Sequence, residues 1–283
     1  MAESHLRSRQ PIDRAMQSES SELLSELETW YGGANGRYLL DATRETLQPL
    51  LETAFGYHIL ELGVQVGQPL CLGSRINHHI ICSEQARAGP GLIARAQELP
   101  LESDSVDVVI AHHCLEFAGN PHQALREIQR VLTPQGQVLV IGFNPFSLHG
   151  VASRLRARLG HRLWRGHRPV SERRLTDWLH LLGCEVQEVF RLYGVPPLGS
   201  GRLRAGLTRC DAWTARHNLP MSGLYILHAT KQVAGMTRTR RLQKSRTERL
   251  IGLVPKPAPA PTPTPRALSR KTSVEIEKGN SSP

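Results

Sequence analysis

One stretch decides most of what this chain can fold into. Residues 106–111 (VDVVIA) are a continuous apolar, β-branched run of the kind buried on both faces of a sheet. Residues 120–132 (NPHQALREIQRVL) follow, with Ala124, Leu125, Ile128, Val131 and Leu132 on one helical stripe, and residues 137–142 (QVLVIG) return as a second buried run. A strand, a helix and a strand in that order make a parallel pair joined by a crossover. Pro121 suits the first helical turn, and residues 133–136 (TPQG) suit a turn before the second strand.

The alternation extends both ways. Residues 58–63 (HILELG), 78–82 (HHIIC) and 91–94 (GLIA) read as earlier strands. Ser171 opens a helix that runs to Leu182 and stops at Gly183, and residues 185–192 and 223–231 read as the last two strands. Ahead of the sheet, Leu23, Leu24, Leu27 and Trp30 share one helical face, and Leu39, Leu40, Leu47, Leu50 and Leu51 another. The expected organisation is a frayed N-terminal segment with helices over 1–56, an α/β domain over 57–231, and a disordered basic, proline-rich tail over 232–283. The tail is too poor in large apolar residues to offset the entropy of ordering. Within the domain, residues 193–222 read as a loop-like variable insertion.

The formal charge of +10 changes meaning once located. From Lys231 onward 12 Lys/Arg face 3 acids, so residues 1–230 carry 23 minus 22, or +1. Within that body, Val151 to Arg174 holds eight arginines against Glu172 alone. Leu148, Val151, Leu155, Leu159 and Leu163 recur there at helical spacing, with Trp164 at the end, which predicts a basic amphipathic cap over 148–170. The expectation is that its apolar stripe packs on the fold and its arginines face water. Nucleic-acid phosphates or anionic lipid are the partners that such a cap and tail offer. No run of about 18 apolar residues occurs, and the N-terminus lacks an apolar leader, so a cytoplasmic protein without a transmembrane segment is expected. Five dispersed cysteines without CxxC spacing argue against a disulfide framework or a metal site.

Chemistry concentrates at residues 59–70 (ILELGVQVGQPL), a strand ending in an acid and a glycine-containing turn. Such a turn lets a nucleotide-like ligand approach the backbone at the carboxyl edge of a sheet, and it also arises for steric reasons alone. His112, His113 and Cys114 cluster at a strand end, but adjacent strand residues face opposite sides, which favours lining or structural roles over shared metal ligation. Asn144-Pro145-Phe146 reads as a turn leaving the sheet.

From Leu99 to Phe146 the chain carries Leu99-Pro100-Leu101, Ser105-Val106-Asp107-Val108-Val109, Leu115-Glu116, Ala124-Leu125-Arg126-Glu127 and Arg130-Val131-Leu132-Thr133-Pro134-Gln135-Gly136. In these elements it closely resembles the class I S-adenosylmethionine-dependent methyltransferases of the type 11 group, over roughly residues 57–231. The resemblance implies a Rossmann-like α/β fold, a seven-stranded sheet with helices on both faces, S-adenosylmethionine as cofactor, and methyl transfer to an unidentified acceptor. By position, Glu61, Gly63 and Gly67 would form the cofactor turn, Glu84 would hold the ribose hydroxyls, and Ala111 and His112 would flank the methionine part. Three features depart from the family pattern: Gln65 replaces the middle glycine of the turn, Arg95 stands where an acid faces the adenine amine, and Glu84 lies two residues beyond Cys82 rather than at the strand tip. The competing expectation, of a different class, is a non-catalytic descendant of the fold that binds partners through its basic cap and tail.

Overall fold

The computed structural model describes residues 20–84, 91–195 and 201–232. The expected frayed N-terminus and disordered tail fall on residues 1–19 and 233–283, outside the described residues. Helices α1 (20–31) and α2 (Ala34–Thr53) precede strand β1 (His58–Gly63), a short 3-10 turn (Leu70–Gly73), β2 (His78–Ser83), β3 (Leu92–Ile93) and β4 (Val106–His112). Then come α3 (Cys114–Phe117), α4 (Pro121–Val131), β5 (Leu132–Phe143), α5 (Leu148–Arg158), α6 (Arg162–Gly166), α7 (Glu172–Leu181), β6 (Cys184–Leu192), α8 (Gly201–Arg216) and β7 (Leu224–Lys231).

The strands form one seven-stranded sheet in the order β3-β2-β1-β4-β5-β7-β6. All neighbours from β3 to β5 are parallel, while β7 inserts antiparallel between β5 and β6. This is the Rossmann-like α/β arrangement expected. On one face, α1 and α2 cover Ile59, Val108, Ile110, Leu139 and Ile141. On the other, α4 and α7 cover Leu60, Leu62, Val109, Ala111, Val138 and Val140. Residues of β4 thus alternate between two cores, which is why its sequence reads as uninterrupted apolar character.

The motif residues that made the chain legible are staples of this fold. The Asp107 carboxylate accepts the Tyr57 and His58 N–H groups at 2.7 and 3.0 Å and the Thr133 hydroxyl at 3.3 Å, fixing the start of β1 beside β4. Glu127 accepts the Leu99 N–H, and Arg130 donates to the carbonyls of Leu99 and Leu101 while pairing with Glu127 at 2.8 Å. Asn120 caps α4 through the Gln123 N–H, with Pro121 in the first turn.

Two expectations need correction. Residues 193–222 are not a plain loop, because α8 occupies their centre, and its buried Asp211 accepts the Tyr38 hydroxyl at 2.8 Å and the Val195 N–H at 3.1 Å. A tertiary tether with no local sequence signal holds that helix. The basic cap is two short helices, α5 and α6, and the apolar stripe of α5 does not pack on the fold. Leu163 and Trp164 are buried, whereas Leu148, Val151, Leu155 and Leu159 face solvent. The cysteines are all free, and four of the five are buried.

Candidate cofactor site at the carboxyl edge

The turn after β1 is held from four sides. Val64 N–H donates to the His112 carbonyl at 2.9 Å, and the His112 ring returns a bond from Nδ1 to the Val64 carbonyl at 2.8 Å. Burial, reinforced by neighbouring His113, lowers the His112 pKa to about 3, so the ring is neutral and its proton sits on Nδ1. From α2, Arg44 donates to the carbonyls of Val66 and Gln68. Glu61 accepts the Cys71 N–H at 2.9 Å, and burial raises its pKa although that bond pulls the other way. At Gly63 the backbone has φ +101°, and a Cβ would lie 2.1 Å from the His112 carbonyl oxygen. Only glycine allows β1 to turn so close to β4.

Beside this turn a crevice is lined by Leu62, Gly63, Cys82, Glu84, Ala94, Ala96, Cys114 and Phe117, with Leu24 of α1 over it. Of the positions expected to bind cofactor, Gly63 and Glu84 line the crevice together. Glu84 directly follows the end of β2, and burial pushes its carboxyl pKa up, against the pull of nearby Arg95. Glu61, Ala111 and His112 are buried behind the crevice, and Gly67 is exposed on the outer side of the turn, 3.8 Å in Cβ terms from the Arg44 guanidinium. Gln65 points its amide at the Cys82 carbonyl, 3.5 Å away across the strand tips. The free volume is about 10 Å³, room for one water, against the roughly 300 Å³ or more of a small-molecule pocket. Burial raises the thiol pKa of Cys82 to about 11 and that of Cys114 further, so neither is a ready nucleophile.

A polar network that the sequence did not announce lies at the end of β4. His113 adopts φ +55°, and its Nδ1 lies 2.6 Å from Glu116 Oε2 while its Nε2 lies 2.7 Å from the Tyr31 hydroxyl. Glu116 Oε1 accepts the Phe143 N–H at 2.6 Å, and His167 Nε2 approaches Oε2 at 3.4 Å. Burial opposes the charge on Glu116, but His167 and His113 outweigh it and hold the pKa at about 2. Nδ1–H of His113 therefore donates to a carboxylate, and its Nε2 is hydrogen-bonded with the Tyr31 hydroxyl, whose own pKa burial pushes well up. Chemically this is an oriented imidazole backed by an acid. Its traces in sequence were the His112-His113-Cys114 cluster and the Leu115-Glu116 motif, neither of which pointed to Tyr31 or His167.

A second cavity of about 440 Å³ opens at the same edge beyond β5, lined by Asn144, Phe146, Ser171, Glu172, Arg173, Arg191, Pro220 and Met221. Asn144 Nδ2 donates to the carbonyls of Pro220 and Ser222 and its Oδ1 accepts the Phe146 N–H, so its side chain is spent on the turn, in line with the turn reading. Arg191 and Glu172 form a bidentate pair across the cavity wall.

Residues 60–140 match the methyltransferase domain family. An uncharacterized protein of Escherichia coli strain K12, YafS, is 29% identical over 170 residues, 57% of this chain and 66% of that protein. A demethylmenaquinone methyltransferase of Mycobacterium tuberculosis is 29% identical over 113 residues, 38% of this chain and 48% of that enzyme. The chain thus spans just under two thirds of the first relative and about half of the second. Among solved structures, a SAM-dependent methyltransferase from Thermotoga maritima superposes with a TM-score of 0.55 at 18% identity, covering 77% of this chain and 100% of that one. At that identity the superposition speaks for the fold.

Proposed function

We propose that this chain is a class I S-adenosylmethionine-dependent methyltransferase that holds its cofactor in the crevice between the tips of β1, β2 and β4. The observation that carries the reading is the meeting of Gly63, turned at φ +101°, with Glu84 at the tip of β2. The cofactor supplies an electrophilic methyl group on a sulfonium. The chain's part is to hold and orient. Glu84 is placed to accept from ribose hydroxyls, and Leu62, Ala94 and Ala96 offer an apolar wall for a flat base. His112 Nε2, buried behind the crevice with no partner among the described residues, becomes an acceptor for an ammonium once the crevice opens. These groups fit the cofactor, but the space does not until Leu24 and Gln65 withdraw, so binding includes opening the crevice. The cavity beyond β5, of small-molecule size, is the acceptor side of this reading.

A second reading, the non-catalytic binding protein, is favoured by the narrowness of the crevice and by Gln65 and Arg95. Thermal melting separates the two. S-adenosylhomocysteine at millimolar concentration raises the midpoint if the crevice opens and binds. An unchanged midpoint supports the partner-binding reading.

A further inference from the structure

The helix α5 is built inside out relative to its sequence. Its stripe of Leu148, Val151, Leu155 and Leu159 is 57, 58, 57 and 79% exposed, and Phe146 just before it is 69% exposed. The buried side is His149, Gly150 and Ser153. Ser147 caps the helix through the Gly150 N–H at 2.9 Å. A Cβ at Gly150 would lie 2.5 Å from the Asn144 carbonyl oxygen, so the helix lies against the turn at its one residue without a side chain. The His149 ring is stacked on Phe143 at 4.8 Å and edges against Trp164 at 5.1 Å. These contacts fix the rotation of α5 and leave its leucines outward.

Arginines border the outward stripe. At roughly 100° per residue, Arg156 flanks it on one side and Arg158 on the other. Arg154 bonds back to the Gly150 and Pro145 carbonyls, and Arg162 pairs with Glu22 and Glu26. Arg156, Arg158, Arg165 and Arg168 are exposed, and no ion pair to an acid is recorded for them among the described residues.

We propose that α5 is an interfacial helix that lays Leu148, Val151, Leu155 and Leu159 into the headgroup layer of an anionic bilayer, with Arg156 and Arg158 against lipid phosphates. The inference rests on α5 and is independent of the cofactor reading. An aliphatic stripe between cations matches a surface that is apolar within and anionic at its rim. Nucleic acid offers the charge but nothing for four aliphatic side chains. The chain's own tail, with 12 Lys/Arg against 3 acids from Lys231 onward, carries the wrong sign to cover this face. A second copy would set arginines against arginines.

The test is co-sedimentation of the full chain with sucrose-loaded vesicles of phosphatidylcholine mixed with phosphatidylglycerol, and of phosphatidylcholine alone. The parent should partition onto the anionic vesicles, and the triple variant Val151→Ser, Leu155→Ser and Leu159→Ser should bind roughly tenfold or more weakly at unchanged charge and unchanged melting midpoint. The double variant Arg156→Gln and Arg158→Gln should lose binding chiefly at low salt. Equal vesicle binding by the triple variant would overturn the proposal, leaving attraction by the tail alone. So would absence of vesicle binding, a parent dimer that the triple variant dissolves without any vesicle binding, or retention on duplex DNA lost only with the arginines.

Discussion

Tyr31 Oη and His113 Nε2 lie 2.7 Å apart although 82 residues separate them. The bond ties α1 to the end of β4, and because Leu24 sits two turns earlier on the same helix, it also holds the cover over the crevice. The Tyr31→Phe variant removes the hydrogen-bond partner of a fully buried ring nitrogen and should cost about 1–2 kcal/mol in urea unfolding. Glu116→Gln should cost more, about 3 kcal/mol, because it takes a buried carboxylate away from both His113 Nδ1 and the Phe143 N–H. Equal effects would mean that Glu116 carries no charge in the folded protein.

Acid should weaken the fold through its buried histidines before Glu116 titrates. Burial lowers the pKa of His149 to about 3, helped by His167. A base whose folded value is depressed gives full stability above its unfolded value of about 6.5, and that contribution is lost as pH falls from there toward 3. At pH 5 the loss from His149 is about 2 kcal/mol. His149→Phe should keep the stacking on Phe143 and make the stability profile between pH 7 and pH 5 less steep, the remaining slope belonging to His112, whose pKa burial also lowers to about 3. Parallel profiles for parent and variant would contradict a neutral, buried His149.

Glu116 works at lower pH and with the opposite chemistry. Its depressed carboxyl stabilises the fold above the usual carboxylate value of about 4.3, and the contribution disappears as pH falls toward 2. Unfolding of Glu116→Gln should therefore converge with that of the parent at the acid end, measured by circular dichroism from pH 5 to pH 2.

Leu24 closes the crevice, so shortening it should open the site. Leu24→Ala should lower stability by about 2–3 kcal/mol and tighten binding of S-adenosylhomocysteine. Loss of stability with no gain in affinity would place the barrier to entry elsewhere, with Gln65 the next residue to change.

The turn itself tolerates no side chain. Gly63→Ala combines a φ of +101° with a Cβ 2.1 Å from the His112 carbonyl, so it should destabilise the whole domain by several kcal/mol and is unsuited to testing ligand contact. A soluble, fully stable Gly63→Ala protein would contradict the close approach of β1 and β4.

The fold was legible because each strand and crossover helix carries its own period, and because the quoted motifs contain Asp107, Glu127 and Arg130, which fasten this sheet. The family resemblance also singled out Gly63 and Glu84, and the structure brings these two together on the crevice. The Tyr31–His113–Glu116 network was not, because it depends on a left-handed turn at His113 and on a helix far away in sequence. The facing of α5 was hidden differently. Periodicity shows that Leu148, Val151, Leu155 and Leu159 share a face, but which face goes inward is decided by the small residue Gly150 and the ring of His149.

The central claim is that the crevice at Glu84 binds S-adenosylmethionine, and Glu84→Gln tests it most directly, because Glu84 lines the crevice at a strand tip. Titration calorimetry of the parent with S-adenosylmethionine and S-adenosylhomocysteine should give micromolar binding. Glu84→Gln should weaken it about tenfold, the worth of a charged hydrogen bond to a hydroxyl, with an unchanged melting midpoint in the absence of ligand. No heat at millimolar ligand, or equal affinity for parent and variant, would contradict the account.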